Sequence, residues 1–229
     1  GLPVFSIHGN HDDPIGADNL AALDILSACN LVNYFGKTHV SGKDAGKVKI
    51  YPVLLRKGNT KVALYGLGHI RDERLGRLFQ TKAVDWMRPE ATEEHRLEDW
   101  FNVFVLHQNR VQRGSIFAKN MIHEKFLAKF LDFVIWGHEH ESLPEPVHST
   151  LIGCEITQPG SSVATSLTEG ESRKKHALLL EMVSIKDGGA VETQYRTEPI
   201  ALRTVRPFKY ALVGLKDLLE EEGLDPTEP

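Results

Sequence analysis

Three apolar runs in this chain end in the same kind of polar cluster. VFSI runs into HGNHDD at His8–Asp13, FNVFVL into HQNR at His107–Arg110, and FVIW into GHEHE at Gly137–Glu141. Imidazole nitrogens and amide oxygens are donors that hold first-row divalent metals, and no thiolate lies among them. His138 and His140 are two positions apart, so an extended backbone aims both rings to one side, and Gly137 lets the chain turn tightly before them. Added to Asn10 and His107, they make a mixed N/O set that suits Mn, Fe or Zn better than Ca. His11, beside Asn10, is placed to act as an acid or an orienter rather than as a ligand. Taken singly, each cluster has an ordinary explanation as a solvated pair or a loop side chain. Three of them in order, each closing an apolar strand, form a far more specific pattern. His8, His39, His69, His95, His123, His148 and His176 are read as ordinary hydrogen-bonded loop residues.

Such donors can meet only if strands end together, as they do at the carboxyl edge of an open α/β sheet. Leu2–Ile7 reads as a strand, and the spacing of Leu20, Ala22, Leu23, Ile25 and Leu26 predicts a helix over Ala17–Ala28, with Asp18 near its start. Val48–Leu55 and Lys61–Tyr65 read as strands joined by a Lys57-Gly58-Asn59 turn. Arg71–Phe79 reads as a short charged helix, and Thr81–Asp99 as a polar connection with some helix. A strand at Phe101–Leu106, an amphipathic helix over Ile122–Phe130 and a strand at Phe133–Trp136 would make a βαβ unit. From Leu151 the pattern turns to antiparallel strands with Gly-rich turns such as Asp187-Gly188-Gly189, and Leu212–Glu222 reads as a charged helix. Residues 1–202 are expected to form one core, with 203–229 opening a second, incomplete domain.

With 41% hydrophobic and 25% charged residues, the 229-residue chain has the composition of a globular domain with a sizeable core. Lys and Arg number 27 against 31 Asp and Glu, so bulk charge does not predict a nucleic-acid binder and any such role must rest on local patches. No apolar run approaches the ~18 residues of a membrane span, so no membrane partner is expected. Two cysteines, Cys29 and Cys154, cannot make a disulfide framework and fit a reducing, intracellular compartment.

GNHD, then a lone His after a strand, then GHxH is the motif order of the calcineurin-like metallophosphoesterases. The longer pieces HGNHDDP, DILS, ALYGLG, DERL, HQNR, VIWGHEHE, QPGSSVATSL and KKH resemble one branch of that family, the eukaryotic double-strand-break repair nucleases related to the bacterial SbcD nucleases. The resemblance runs from about Gly1 to Phe208. It implies a four-layer α/β/β/α sandwich carrying two Mn²⁺ ions, with Asn10, His107, His138 and His140 as metal ligands and His11 as the catalytic residue that protonates the leaving oxygen or orients the phosphate. Two ions about 3.5–4 Å apart can hold a hydroxide nucleophile and neutralise a phosphodiester's developing charge. It also implies 3′-to-5′ exonuclease activity on duplex ends, endonuclease activity on single strands and nuclear localisation. The partners it implies are DNA, an SMC-like ATPase subunit and a third, eukaryotic adaptor subunit. The family also forms a homodimer through helices near the GNHD loop, which places Leu23, Ile25 and Leu26 at a candidate interface, although plain core explains their periodicity equally well.

Two family motifs, D-x-H and G-D, have no match in the chain: no Asp precedes a His by two places and no Gly precedes an Asp. They supply the remaining ligands, so the expectation is an N-terminally truncated core that is inactive alone, with a capping domain cut short at the other end. Basic residues gather after the ligand motifs at Arg110, Arg113, Arg173, Lys174, Lys175, Arg203, Arg206 and Lys209, and Gly160-Ser161-Ser162 offers a turn whose amides could cradle phosphate. Arg110, Arg113, Ser161, Ser162, Lys174 and Lys175 are therefore the candidate DNA contacts; a solvated charged face is the plain alternative. No base-reading element is visible, so backbone binding with little sequence preference is expected. Competing with the nuclease are a phosphoprotein phosphatase of the same family, which typically carries GNHE where this chain has GNHDD, and a non-catalytic dimeric scaffold on DNA ends.

Overall fold

The computed structural model describes residues 1–15, 18–38, 46–93, 95–110, 121–187 and 190–222. In chain order the strands are β1 (Phe5–Ser6), β2 (Asn33–Tyr34), β3 (Val48–Ile50), β4 (Pro52–Lys57), β5 (Thr60–Leu67), β6 (Val84–Trp86), β7 (Phe101–His107), β8 (Phe133–Gly137), β9 (Leu143–Ser149), β10 (Cys154–Gln158), β11 (His176–Asp187) and β12 (Ala190–Ala201). The helices are α1 (Ala22–Ala28), α2 (Asp72–Gln80) and α3 (Leu215–Glu221). A six-stranded sheet in the order β4-β5-β7-β8-β10-β9 forms the centre. Its four inner strands run parallel, and β4 and β9 lie antiparallel at the two edges.

The inner strands read as nearly unbroken apolar runs because both faces of the sheet are covered. Alternate residues supply two cores. Ala63, Tyr65, Leu67, Phe104, Leu106, Val134, Trp136, Cys154 and Ile156 face one side, where they meet Leu75 and Leu78 of α2 and Val48 and Ile50 of β3. Val62, Phe101, Val103 and Phe133 face the other, under Leu178, Leu180 and Met182 of the long β11–β12 ribbon. Tyr195 of β12 packs against the Phe101 and Phe133 rings. The result is the α/β class expected from the sequence, with ribbon and sheet stacked and little helix. The buried side chain of Lys61 pairs with Asp99 at 3.0 Å and ties the start of β5 to the turn before β7.

Several elements depart from expectation. Ile122–Phe130 is not a helix: the backbone at Ile122 bridges to Arg110, which keeps the chain extended, and Glu124–Phe126 forms only one 3₁₀ turn. Ile122, Leu127 and Leu131 are buried as the periodicity required, but on an irregular path. The polar connection hides β6, which pairs in parallel with β3. The first strand shrinks to Phe5–Ser6, paired with β2. The first helix begins at Ala22, where the Asp24 carboxylate accepts the Ala21 N–H at 2.7 Å, and Ile15 and Leu20 before it pair in an antiparallel bridge. β9, LPEPVHS, was not anticipated because its prolines argue against a strand; it is an edge strand, where proline is tolerated. Both hairpin expectations hold: β4 pairs with β5 around Gly58, and β11 with β12 up to Asp187 and Ala190, the Gly188-Gly189 tip itself lying outside the described residues.

Candidate metal centre

β7 and β8 end side by side, His107 opposite Gly137, and the loop after β1 lies over them. Three donor atoms converge there. Asn10 Oδ1 lies 3.0 Å from His107 Nε2 and 3.2 Å from His138 Nδ1, and the two ring nitrogens are 3.2 Å apart. Neighbouring donors on one ion with bonds of about 2.1 Å stand about 3 Å apart, so this triangle has the dimensions of one face of a coordination sphere. Its chemistry fits as well: two imidazoles and an amide oxygen suit a borderline divalent cation. His138 reaches the position with φ at +84°, a left-handed conformation that a side chain other than Gly seldom adopts and that clusters at functional sites.

The HGNHDD loop satisfies its own polar groups. Asp12 accepts the Gly9 N–H at 2.6 Å, closing the turn that swings Asn10 inward. Gly9 is required here, since a Cβ would lie 2.9 Å from the His107 ring. His8 is buried; its Nε2–H faces the His69 carbonyl and the Asp13 carboxylate, so its Nδ1 accepts the Tyr34 hydroxyl proton at 2.7 Å. His69 is more than the ordinary loop histidine expected. Its Nδ1–H points at Asp13, and its ring stacks on His138 and stands edge-on to His107, both with centroids 6.4 Å away. ALYGLGH is thus a fourth apolar run closed by a histidine, a signal that was present in the sequence.

Burial, reinforced by the facing His138, draws the pKa of His107 down to about 4, and burial also lowers those of His138 and His8. Neutral rings are the form that binds a metal. The same shifts predict an acid-sensitive fold. Below pH 6.5 the unfolded chain takes up protons that the folded imidazoles refuse, so stability falls as pH drops towards about 4, while above 6.5 these groups add no pH dependence. Urea midpoints of the metal-free chain are therefore expected to fall between pH 7.5 and 5; a flat profile would contradict this.

His140 shares with His138 and His11 an open cleft of about 380 Å³, lined also by Glu139, Glu141, Ser166, Thr168, Gly170 and Glu171. Its Nδ1 lies 2.5 Å from Thr165 Oγ1 and 3.2 Å from Glu171 Oε1. Because Thr165 gives its own hydroxyl proton to Glu171, it accepts from His140 Nδ1–H, which leaves the Nε2 lone pair free for a metal. Glu171, 5% exposed, also accepts the Thr165 and Ser166 amides and the Ser166 hydroxyl. Burial alone would raise its pKa; these donors and Lys175 instead hold it well below the usual carboxylate range. Lys175 bonds Glu171, Ser161 and the His140 carbonyl. The sequence reading missed Glu171 and Thr165; the Glu171–Lys175 spacing of four was the available hint.

Some expected contacts are corrected by this packing. The Lys175 side chain is 0% exposed and cannot serve as a surface phosphate contact. Ser161 commits its backbone N–H to the His140 carbonyl at 3.2 Å and its hydroxyl proton to the Val163 carbonyl at 2.6 Å. The Arg110 guanidinium is folded inward onto Glu124 and Gln158, over the Trp136 ring. Ser162 and Lys174 are exposed; Arg113 lies outside the described residues, as does His39. On α1, Leu23 is buried and belongs to the interior, whereas Ile25 and Leu26 are 67% and 39% exposed. Cys29 and Cys154 are both free.

The arrangement gathers imidazole and amide donors that could hold a divalent metal at the carboxyl ends of parallel strands. The family model for calcineurin-like phosphoesterase matches residues 2–142, and the chain belongs to that family. Among curated proteins it is 58% identical over 229 residues to the double-strand break repair protein MRE11 of Arabidopsis thaliana, covering all of this chain and 30% of that protein. The proteins of the same name from Gallus gallus and Homo sapiens are 47% identical over 228 residues and 51% over 207, covering 100% and 90% of this chain and 30% and 27% of theirs. The chain thus spans about a third of the length of these relatives.

Proposed function

We propose that the chain carries part of the active centre of a Mn²⁺-dependent DNA nuclease acting in double-strand break repair in the nucleus. The observation that carries this is the triangle of Asn10 Oδ1, His107 Nε2 and His138 Nδ1, with edges of 3.0–3.2 Å. The similarity to repair proteins supplies the substrate class. When bound, two Mn²⁺ ions supply a hydroxide nucleophile and charge neutralisation for a phosphodiester. Asn10, His107 and His138 hold one ion, and His140 faces the other through Nε2. His11, exposed at the mouth of the cleft, donates a proton to the leaving oxygen or orients the phosphate. Lys174 and Ser162 offer exposed contacts to the strand, Ile25 and Leu26 face a second copy, and residues 203–229 open a capping domain. 3′-to-5′ exonuclease action on duplex ends, endonuclease action on single strands, and assembly with an SMC-like ATPase and an adaptor belong to the same reading.

Four side chains cannot fill two coordination spheres of four to six donors each. Among the described residues no group of three His, Cys, Asp or Glu stands placed to hold a metal, so further donors are needed to complete the centre, and without them the chain is proposed to be inactive. That same observation favours a second reading, a non-catalytic scaffold on DNA ends. Mn²⁺-dependent cleavage of end-labelled DNA separates the two.

A further inference from the structure

Behind the donor triangle runs a chain of hydrogen bonds whose direction is dictated at its far end. Asp72 opens α2, and its Oδ2 lies 2.6 Å from Asn109 Nδ2. A carboxylate can only accept, so the Asn109 amide must present its NH₂ to Asp72; the reverse orientation would set two acceptor oxygens against each other. Asn109 Oδ1 is then fixed towards His138, 2.9 Å from Nε2. An amide oxygen also only accepts, so Nε2 must carry the ring proton. The Nδ1 lone pair is left facing Asn10 and His107. The other Asp72 oxygen is buried without a hydrogen-bond partner among the described residues.

We infer that Asp72 and Asn109 are positioning residues that lock His138 in its Nε2–H form, so that Nδ1 is presented to the metal; the inference rests on His138 being a ligand. Neither residue touches the reacting atoms. The motif HQN thus contributes twice, His107 as a donor and Asn109 as the orienter of a donor 29 residues away. α2 likewise serves the site through its first residue while its Leu75 and Leu78 face the core.

The test reads the tautomer directly, by ¹H–¹⁵N correlation on the His138 ring in the metal-free full-length protein, followed by titration with Mn²⁺ alone. The wild type is expected to show the proton on Nε2. Asn109→Leu should give a mixture of tautomers and weaken Mn²⁺ binding by about 10–100-fold. The exchange Asp72→Asn with Asn109→Asp reverses the hydrogen bond between the two but keeps an acceptor oxygen facing His138 Nε2, so it should restore both the tautomer and the affinity. A wild-type proton on Nδ1, or Asn109→Leu with an unchanged tautomer and Mn²⁺ affinity, would overturn the inference. Should Asn109→Leu fail to fold, the exchanged pair decides alone: a mixed tautomer there counts against the relay. An Nε2–H tautomer in a wild-type protein that binds no Mn²⁺ would instead overturn the metal reading and leave the relay standing.

Discussion

Replacing Lys175 by Met is expected to lower the melting temperature by roughly 6–20 °C. Lys175 and Glu171 form a buried pair with side chains 0% and 4% exposed, 3.2 Å apart. Removing one partner strands the other charge, which typically costs about 3–5 kcal/mol, and a domain of this size loses about 2–4 °C per kcal/mol. The loss reaches the site because Lys175 also holds the His140 carbonyl at 2.7 Å and the Ser161 hydroxyl at 3.0 Å. Lys174→Met, at the exposed neighbour, should move the melting temperature little. A thermal scan of both variants checks this; similar melting for Lys175→Met and the wild type would remove the hub from the account.

In the full-length protein, His11→Asn is expected to leave Mn²⁺ and DNA binding near wild type while slowing cleavage by about 10²–10⁴-fold, the usual contribution of a positioned acid or base. His11 is exposed in the cleft beside His138 and His140, so its loss should not disturb folding. Asparagine keeps a polar side chain of similar reach but has no proton to give at neutral pH. Single-turnover cleavage with excess enzyme, alongside binding of an uncleavable duplex, separates chemistry from affinity. Wild-type cleavage by the variant would refute the role.

What was legible in the sequence were the strand ends. HGNHDD, HQNR and GHEHE stand out because polar residues interrupt apolar runs, and three of the four proposed ligands they nominate meet within 3.2 Å. Less legible were residues whose work depends on distant partners. Glu171 reads as a surface charge until donors from Thr165, Ser166 and Lys175 close around it, and Asn109 reads as a loop amide until Asp72 fixes its direction. Basic residues misled for the same reason: Arg110 and Lys175 look solvated in the sequence, yet their partners, Glu124 and Glu171, draw them inward. Periodicity located the buried positions Ile122, Leu127 and Leu131 but not the backbone path, because a bridge to Arg110 outweighs local helix preference.

This donor cluster, once its coordination is completed, is proposed to hydrolyse phosphodiesters. The most direct test is Mn²⁺-dependent cleavage of end-labelled duplex DNA by the full-length protein, run beside this 229-residue chain and beside full-length protein carrying Asn10→Ala with His138→Ala. Shortening of the labelled strand by the full-length protein alone is the predicted result. Undiminished cleavage by the double variant would contradict the account, and so would intact DNA with all three proteins.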